Sequence, residues 1–233
     1  MNTQPEAEHS RYLFCERRII FLLLMMSAGM MGAYTFTLRG GAFCNAQTTN
    51  VVLMLIALGE GRWRDGLYFL IPMSAYFLGA FLSEILPSPV KRLGLFRWDT
   101  CLFAIGWMPL TIPHQIVQVL INFIASMQYN TFRQAEGIPM ATTFCTNHIR
   151  QIGIAAAKAL RKRDTSALAR GLVHIKMLSS FLFGGFVLSF AGQFLLEKAI
   201  WLALVPLLVI LVLLVHADLI VEHNALDRKP AGH

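Results

Sequence analysis

The sequence predicts an all-α fold, a polytopic membrane helix bundle, and three observations predict it. Of 233 residues, 56% are hydrophobic and 14% charged, where soluble domains carry about 25% charged residues. Mean hydropathy is +0.56. Apolar runs of span length alternate with short breaks rich in Gly, Pro and Arg, the pattern of a chain that crosses a bilayer repeatedly. A polar stretch, Asn45 to Asn50, interrupts this pattern and returns in altered form as Thr142 to His148.

Taken in order, the breaks delimit eight segments. Residues 1–16 form a polar tail. Residues 18–38 make a first span whose Ala28-Gly29 and Gly32-Ala33 offer a small-residue face to a neighbour. Residues 43–58 begin polar and turn apolar at Val51. Residues 66–86 make a third span with Ala75, Gly79 and Ser83 at intervals of four, a spacing that lets helix backbones touch. Residues 99–112 form a short fourth span closed by Pro113. The same order follows in 114–132, 140–160, 168–190 and 198–215, and Ser180-Gly184 and Gly185-Ser189 repeat the small-residue spacing.

Thr48 falls on Thr146 after a shift of 98 residues, and Gly79 on Gly184 after 105. This predicts two four-helix repeats, 17–113 and 114–217, followed by a polar tail from 218. An even number of segments per half makes the repeats parallel. Six or seven spans follow instead if 43–58 and 140–160 cross only partly, or if 99–132 is one broken helix.

Charge orients the chain. With the N-terminus inside, the cytoplasmic side receives Arg11, Arg17, Arg18, Arg62, Arg64, Arg161 to Arg163, Arg170, Arg228 and Lys229. The outside receives Arg39, Lys91, Arg92, Arg97, Arg133 and Lys198, a positive-inside bias that puts both termini in the cytoplasm. The net charge of +7 is then explained by topology and anionic lipid, with no nucleic-acid partner. Cys15, Cys44, Cys101 and Cys145 form no CxxC pair, and the histidines have no metal-ligand spacing. No GxSxG, HExxH or P-loop appears, so neither an enzyme nor a metal or other cofactor is expected.

The two polar starts are where a ligand could sit. A helix beginning inside hydrocarbon leaves unpaired N–H groups, and Thr, Asn and Gln can cap it and hold something small. The candidates are Asn45, Gln47, Thr48, Thr49 and Asn50 in the first stretch and Thr143, Thr146, Asn147 and His148 in the second. Gln128 joins them, with Arg150 as a possible partner for an anion. The competing reading is that these residues are caps and interhelical glue with no ligand.

Gly29 to Ala33, then Phe43 with Asn45-Ala46-Gln47-Thr48-Thr49-Asn50, then Met127-Gln128 and Thr142-Thr143-Phe144-Cys145-Thr146, resemble the YoaK-type family of bacterial membrane proteins of unknown function. Thr49 and Asn147 stand where that family usually has Gly, and Gly32 where it often has an acidic residue. The resemblance therefore implies a membrane architecture and leaves the substrate open. The expected function is a small inner-membrane transporter or permease for a small polar or anionic solute, bound between the two polar starts at the repeat interface. The alternative is a non-transporting module that binds lipid or a partner protein. Membrane lipids are expected around either, and a homo-oligomer is possible.

Overall fold

The computed structural model describes residues 12–86 and 102–221. The expected outer parts of both tails, the linker with Lys91, Arg92 and Arg97, and the first residues of the expected span at 99 lie outside the described residues.

Helix α1, Arg18–Leu38, is the axis of the bundle. Its Ile20, Leu24, Met25, Met31 and Tyr34 are fully buried. Against its small-residue face lies α7, Thr165–Leu195. A methyl group on Gly29 would run into the carbonyl of Phe181, and one on Gly184 into the carbonyl of Met26. The Ser180 hydroxyl donates to Leu22 O at 2.7 Å. Residues 22 and 180, 26 and 184, and 38 and 192 therefore stand level, and the two helices run parallel.

The same geometry joins α4, Leu70–Ile85, to α5, His114–Thr131. A Cβ on Gly79 would lie 2.7 Å from Phe123 O. Ser126 donates to Tyr76 O at 2.6 Å and Asn130 to the Ser83 hydroxyl at 3.1 Å. This pair too is parallel. The small-residue spacings near Gly79 and Gly184 are thus used inside the protomer.

α1 and α5 run in opposite directions. Gln118, near the start of α5, donates to Thr35 O and Arg39 O at the finish of α1, whereas Gln128 reaches Leu24 O near its start. Between them the chain turns back through Gly40 and Gly41, both at positive φ, into the short α2, Gln47–Gly59, and α3, Trp63–Tyr68. After α5 come a two-residue hairpin, β1 Gln134–Ala135 with β2 Ile138–Pro139, and α6, Thr146–Lys162.

Among the described residues three helical stretches are long and apolar enough to cross a membrane: Arg18–Leu38, Trp63–Ile85 and Thr165–Ile220. The third doubles back. At Leu196, φ 47°, the chain reverses into a 3-10 helix, Leu196–Ala203, and then α8, Leu204–His216. Tyr34 bonds Glu197 O and Ser27 bonds Ala203 O, so the return leg descends α1.

The surface is apolar where soluble proteins are polar. Phe77, Phe81, Phe183, Phe186, Phe190 and Val212 are exposed, while Ser27, Thr35, Gln118, Asn122, Ser126 and Gln128 are fully buried. Arg39 is buried as well, its guanidinium held by the Tyr34 hydroxyl and the carbonyls of Met108 and Pro109. Those carbonyls follow the helical residues 102–107 and carry the negative end of that helix, which offsets the buried charge.

The expected eight segments do not hold. α2 has 13 residues, about 20 Å of helix against about 30 Å of hydrocarbon. Helix over the expected fourth span covers 102–107 of the described residues. α6 carries Arg150, Lys158, Arg161 and Lys162 and is amphipathic rather than apolar. The parallel relation fails too, because α1 and α5, the first helices of the two expected halves, point opposite ways. Since α2 returns to the end of the bundle from which the chain entered, Arg62 and Arg64 stand with Arg39, not with Arg18. Arg133, tied beside the hairpin, stands at the Arg18 end.

Candidate functional site

In the first polar stretch the chain dives from Leu38 back along α1. Cys44 N donates to Thr35 Oγ1 at 3.2 Å, and Asn45 Nδ2 donates to Ala28 O at 3.2 Å. Ala28 lies ten residues below Leu38, about 15 Å of helix. Gly32 makes room for this approach, since a Cβ there would lie 2.9 Å from the Asn45 amide nitrogen.

α2 starts at that depth, and its amides close on one another. Asn50 accepts from Phe43 N at 2.8 Å and donates to Phe43 O at 2.7 Å and Gln47 Oε1 at 2.9 Å. Gln47 donates to Cys44 O and Asn122 Oδ1, and Asn122 donates to Gln118 O and Gln118 Oε1. Gln118 bonds the carbonyls of Thr35, Arg39 and Ala42. Every donor in the chain of amides meets an acceptor, as a buried polar network requires. Thr48 and Thr49 face outward.

The second stretch lies nearer the end of the bundle. Arg18 pairs with Glu136 at 2.7 Å and pins the hairpin beside the start of α1. Gln128 Nε2 donates to Thr142 O and Leu24 O. Here the polar atoms are not all satisfied: Gln128 Oε1 and the hydroxyls of Thr142 and Thr143 are buried without a hydrogen bond of good geometry, Thr143 standing beside the Tyr76 hydroxyl.

His148, on the first turn of α6, places Nε2 2.8 Å from Ala141 O and Nδ1 3.0 Å from Nδ1 of His174 on α7. Both rings are buried. Burial pushes the His148 imidazole below its ordinary pKa, so it is neutral at pH 7. Thr146 is exposed, and Arg150 donates to Asn147 Oδ1 at 3.2 Å.

α6 and the first turns of α7 form an antiparallel pair drawn close at Gly171, where a Cβ would lie 2.7 Å from Ala155 Cβ. Between them is a cavity of about 380 Å³, within the size range of small-molecule sites. Asn147, Arg150, Gln151, Ile154 and Lys158 line it at the spacing of one helix face, with Arg170 and His174 opposite. Among the described residues no Asp or Glu lines it. Asp164, just outside, caps α7 through Ala167 N. Hydrogen bonds from Ser166 and Ala167, with Arg170 nearby, hold its carboxyl below the usual range.

Of the residues singled out from sequence, Asn147, Arg150 and His148 are thus brought to one place, His148 through its bond to His174. Gln47 and Asn50 belong to a separate, closed network, and Asn45 bonds Ala28 O beside it. Gln128 and Thr143 lie between the two, and no hydrogen bond among the described residues joins the two stretches directly. Lys158, Arg170 and His174 were missed, although Asn147, Arg150, Ile154 and Lys158 fall on one helical face in the sequence itself. Among the described residues no group of three His, Cys, Asp or Glu is arranged to hold a metal ion, and the described cysteines are free.

No curated protein and no solved structure matches the chain. One family model does, over residues 20–213, and its description is a protein of unknown function. That match takes in every helix from α1 to most of α8, and with it both polar stretches and the cavity. The chain belongs to the DUF1275 family.

Proposed function

We propose that this protein is a small transporter or permease of the bacterial inner membrane that binds a small anionic solute in the cavity between α6 and α7. The observation that carries the reading is three cationic side chains, Arg150, Lys158 and Arg170, around one cavity with no carboxylate among the described residues of its lining. Asn147, Gln151 and the histidine pair supply hydrogen bonds. Arg offers a carboxylate or phosphate two parallel bonds where Lys acts as a point charge.

Transport, rather than binding alone, is favoured by a second cavity at the opposite end of the bundle. It has a volume of about 630 Å³ and is lined by Gly40, Gly41, Leu53, Ile56, Ala57 and Tyr68, among others. Moved on by 98, Gly40 and Gly41 become Ile138 and Pro139, and Leu53, Ile56 and Ala57 become Gln151, Ile154 and Ala155, all of which line the first cavity. Asn50 bonding Phe43 O becomes His148 bonding Ala141 O under the same shift. With α1 opposed to α5, we read the halves as an inverted repeat, the arrangement that lets one fold open to either side of a membrane. Arg17, Arg18, Arg133, Arg161, Lys162 and Arg163 lie toward the end where α1 begins and α8 finishes, and by the positive-inside rule we read that end as the cytoplasmic one.

The rival reading, a module that binds lipid or a partner and does not transport, is favoured by the closed amide network of the first stretch. Cysteine labelling separates the two. Leu53→Cys and Gln151→Cys, equivalent positions in the two cavities, are made in a background lacking native cysteines and treated with an impermeant thiol reagent from each side. A transporter shows an anion that slows labelling at one position and speeds it at the other. Two rates indifferent to every anion tested would leave the non-transporting module as the better account.

A further inference from the structure

The histidine pair has a fixed proton count. Ala141 O can only accept, so His148 Nε2 carries a hydrogen and neutral His148 has a bare Nδ1. A separation of 3.0 Å between the two Nδ1 atoms is then a hydrogen bond only if His174 Nδ1 is the donor. That leaves Nε2 of His174 as the bare basic nitrogen of a residue lining the cavity.

We propose that the His148–His174 pair takes up one proton when an anion enters the cavity between α6 and α7, so that solute and proton bind together. This rests on the anion-binding reading above. The proton comes from solvent, forms an N–H bond at His174 Nε2 and returns to solvent when the anion leaves; no other bond changes. The pair holds one proton and no more, because a second would set two imidazolium N–H groups against each other at 3.0 Å.

Coupling follows from the charges that face the pair. α6 presents Arg150 and Lys158, and α7 presents Arg170, with Asp164 beside it at the start of that helix. The hairpin contributes Ile138 and Pro139 to the lining, its Glu136 being occupied by Arg18. At the start of α1, Arg17 lies over the Phe14 ring. Three cations in an empty cavity oppose a fourth charge on His174. An anion cancels that opposition, and by linkage the proton strengthens the anion's binding by the same factor.

The experiment uses purified full-length protein and sulfate, which does not itself titrate near neutral pH, with calorimetry in two buffers of different ionisation enthalpy. Wild type is expected to take up close to one proton per sulfate at pH 7.5, with affinity falling up to about tenfold per pH unit between pH 7 and 8. His174→Gln is expected to show no proton uptake and an affinity flat with pH. His148→Gln, whose side-chain nitrogen sits where Nε2 does and so keeps a donor for Ala141 O as a guard against a folding defect, is expected to move the proton uptake to lower pH. Sulfate bound without proton uptake by wild type would sink the coupling and leave the anion site standing. Uptake unchanged in both variants would also sink it. If sulfate fails to bind at any pH from 5 to 8, the anion reading and the coupling fall together.

Discussion

The stretches 43–50 and 141–148 make the same move with different chemistry. In each, a side chain on the first turn of a helix reaches back seven residues to a carbonyl, Asn50 to Phe43 and His148 to Ala141. Asn50 sits at the head of a chain of amides, Gln47, Asn122 and Gln118, packed against α1. His148 ends at a second imidazole and a cationic cavity near the end of the bundle. An amide has both donors and acceptors and no proton to lose, so it makes a permanent clasp. An imidazole in the same position makes a clasp that responds to charge.

The comparison breaks most visibly at Asn50. Asn50→Ala leaves Phe43 N and Phe43 O unpaired along with Gln47 Oε1, and we expect about 2–4 kcal/mol of lost stability, since each orphaned buried group costs about 1–3 kcal/mol. Urea denaturation of the detergent-solubilised protein checks this. His148→Ala removes one backbone bond and the contact to His174, so a smaller loss, about 1–2 kcal/mol, is expected in the same assay.

Without ligand, stability should also depend on pH through the second stretch and not through the first. His148 has a folded-state pKa below its ordinary value near 6.5, so the unfolded chain binds more protons and stability rises with pH. The contribution is fully present above pH 6.5 and is lost as pH falls below it. The melting temperature should drop on acidification in wild type, and less so in His148→Gln.

Thr142→Val sharpens the contrast from the other side. The Thr142 hydroxyl is buried without a partner, so an apolar replacement of the same shape is expected to be neutral or to stabilise by up to about 1 kcal/mol. The smallest effect belongs to Thr49→Ala. Its side chain faces outward, and a change within about 0.5 kcal/mol is expected. A large loss at Thr49 would mean that the outward face of α2 meets a partner.

Much of this was legible in the sequence for a physical reason. The apolar runs announced helices, and the spacings near Gly79 and Gly184 announced backbone contacts, because a missing side chain is visible as a residue type. The paired polar stretches were legible as well. What hydropathy does not encode is depth and direction. Thirteen residues of α2 read alike whether they cross or turn back at mid-depth, and mistaking one for the other inverted the relation between the halves and misplaced Arg62 and Arg64. Arg170 was absorbed into topology and Lys158 was passed over, since a cation near a helix end looks the same whether it meets lipid, water or a ligand.

The pairing of α1 with α7 bears on how the chain is made. Gly29 waits for Phe181 and Gly185, about 150 residues later in synthesis. At roughly 5–20 residues per second, α1 spends on the order of ten to thirty seconds in the bilayer before its partner is made. For that interval its small-residue face is open to lipid, to the insertion machinery or to another nascent chain. A ribosome that stalls before α7 therefore leaves behind a helix with an exposed docking face, and quality control has a clear mark by which to recognise it.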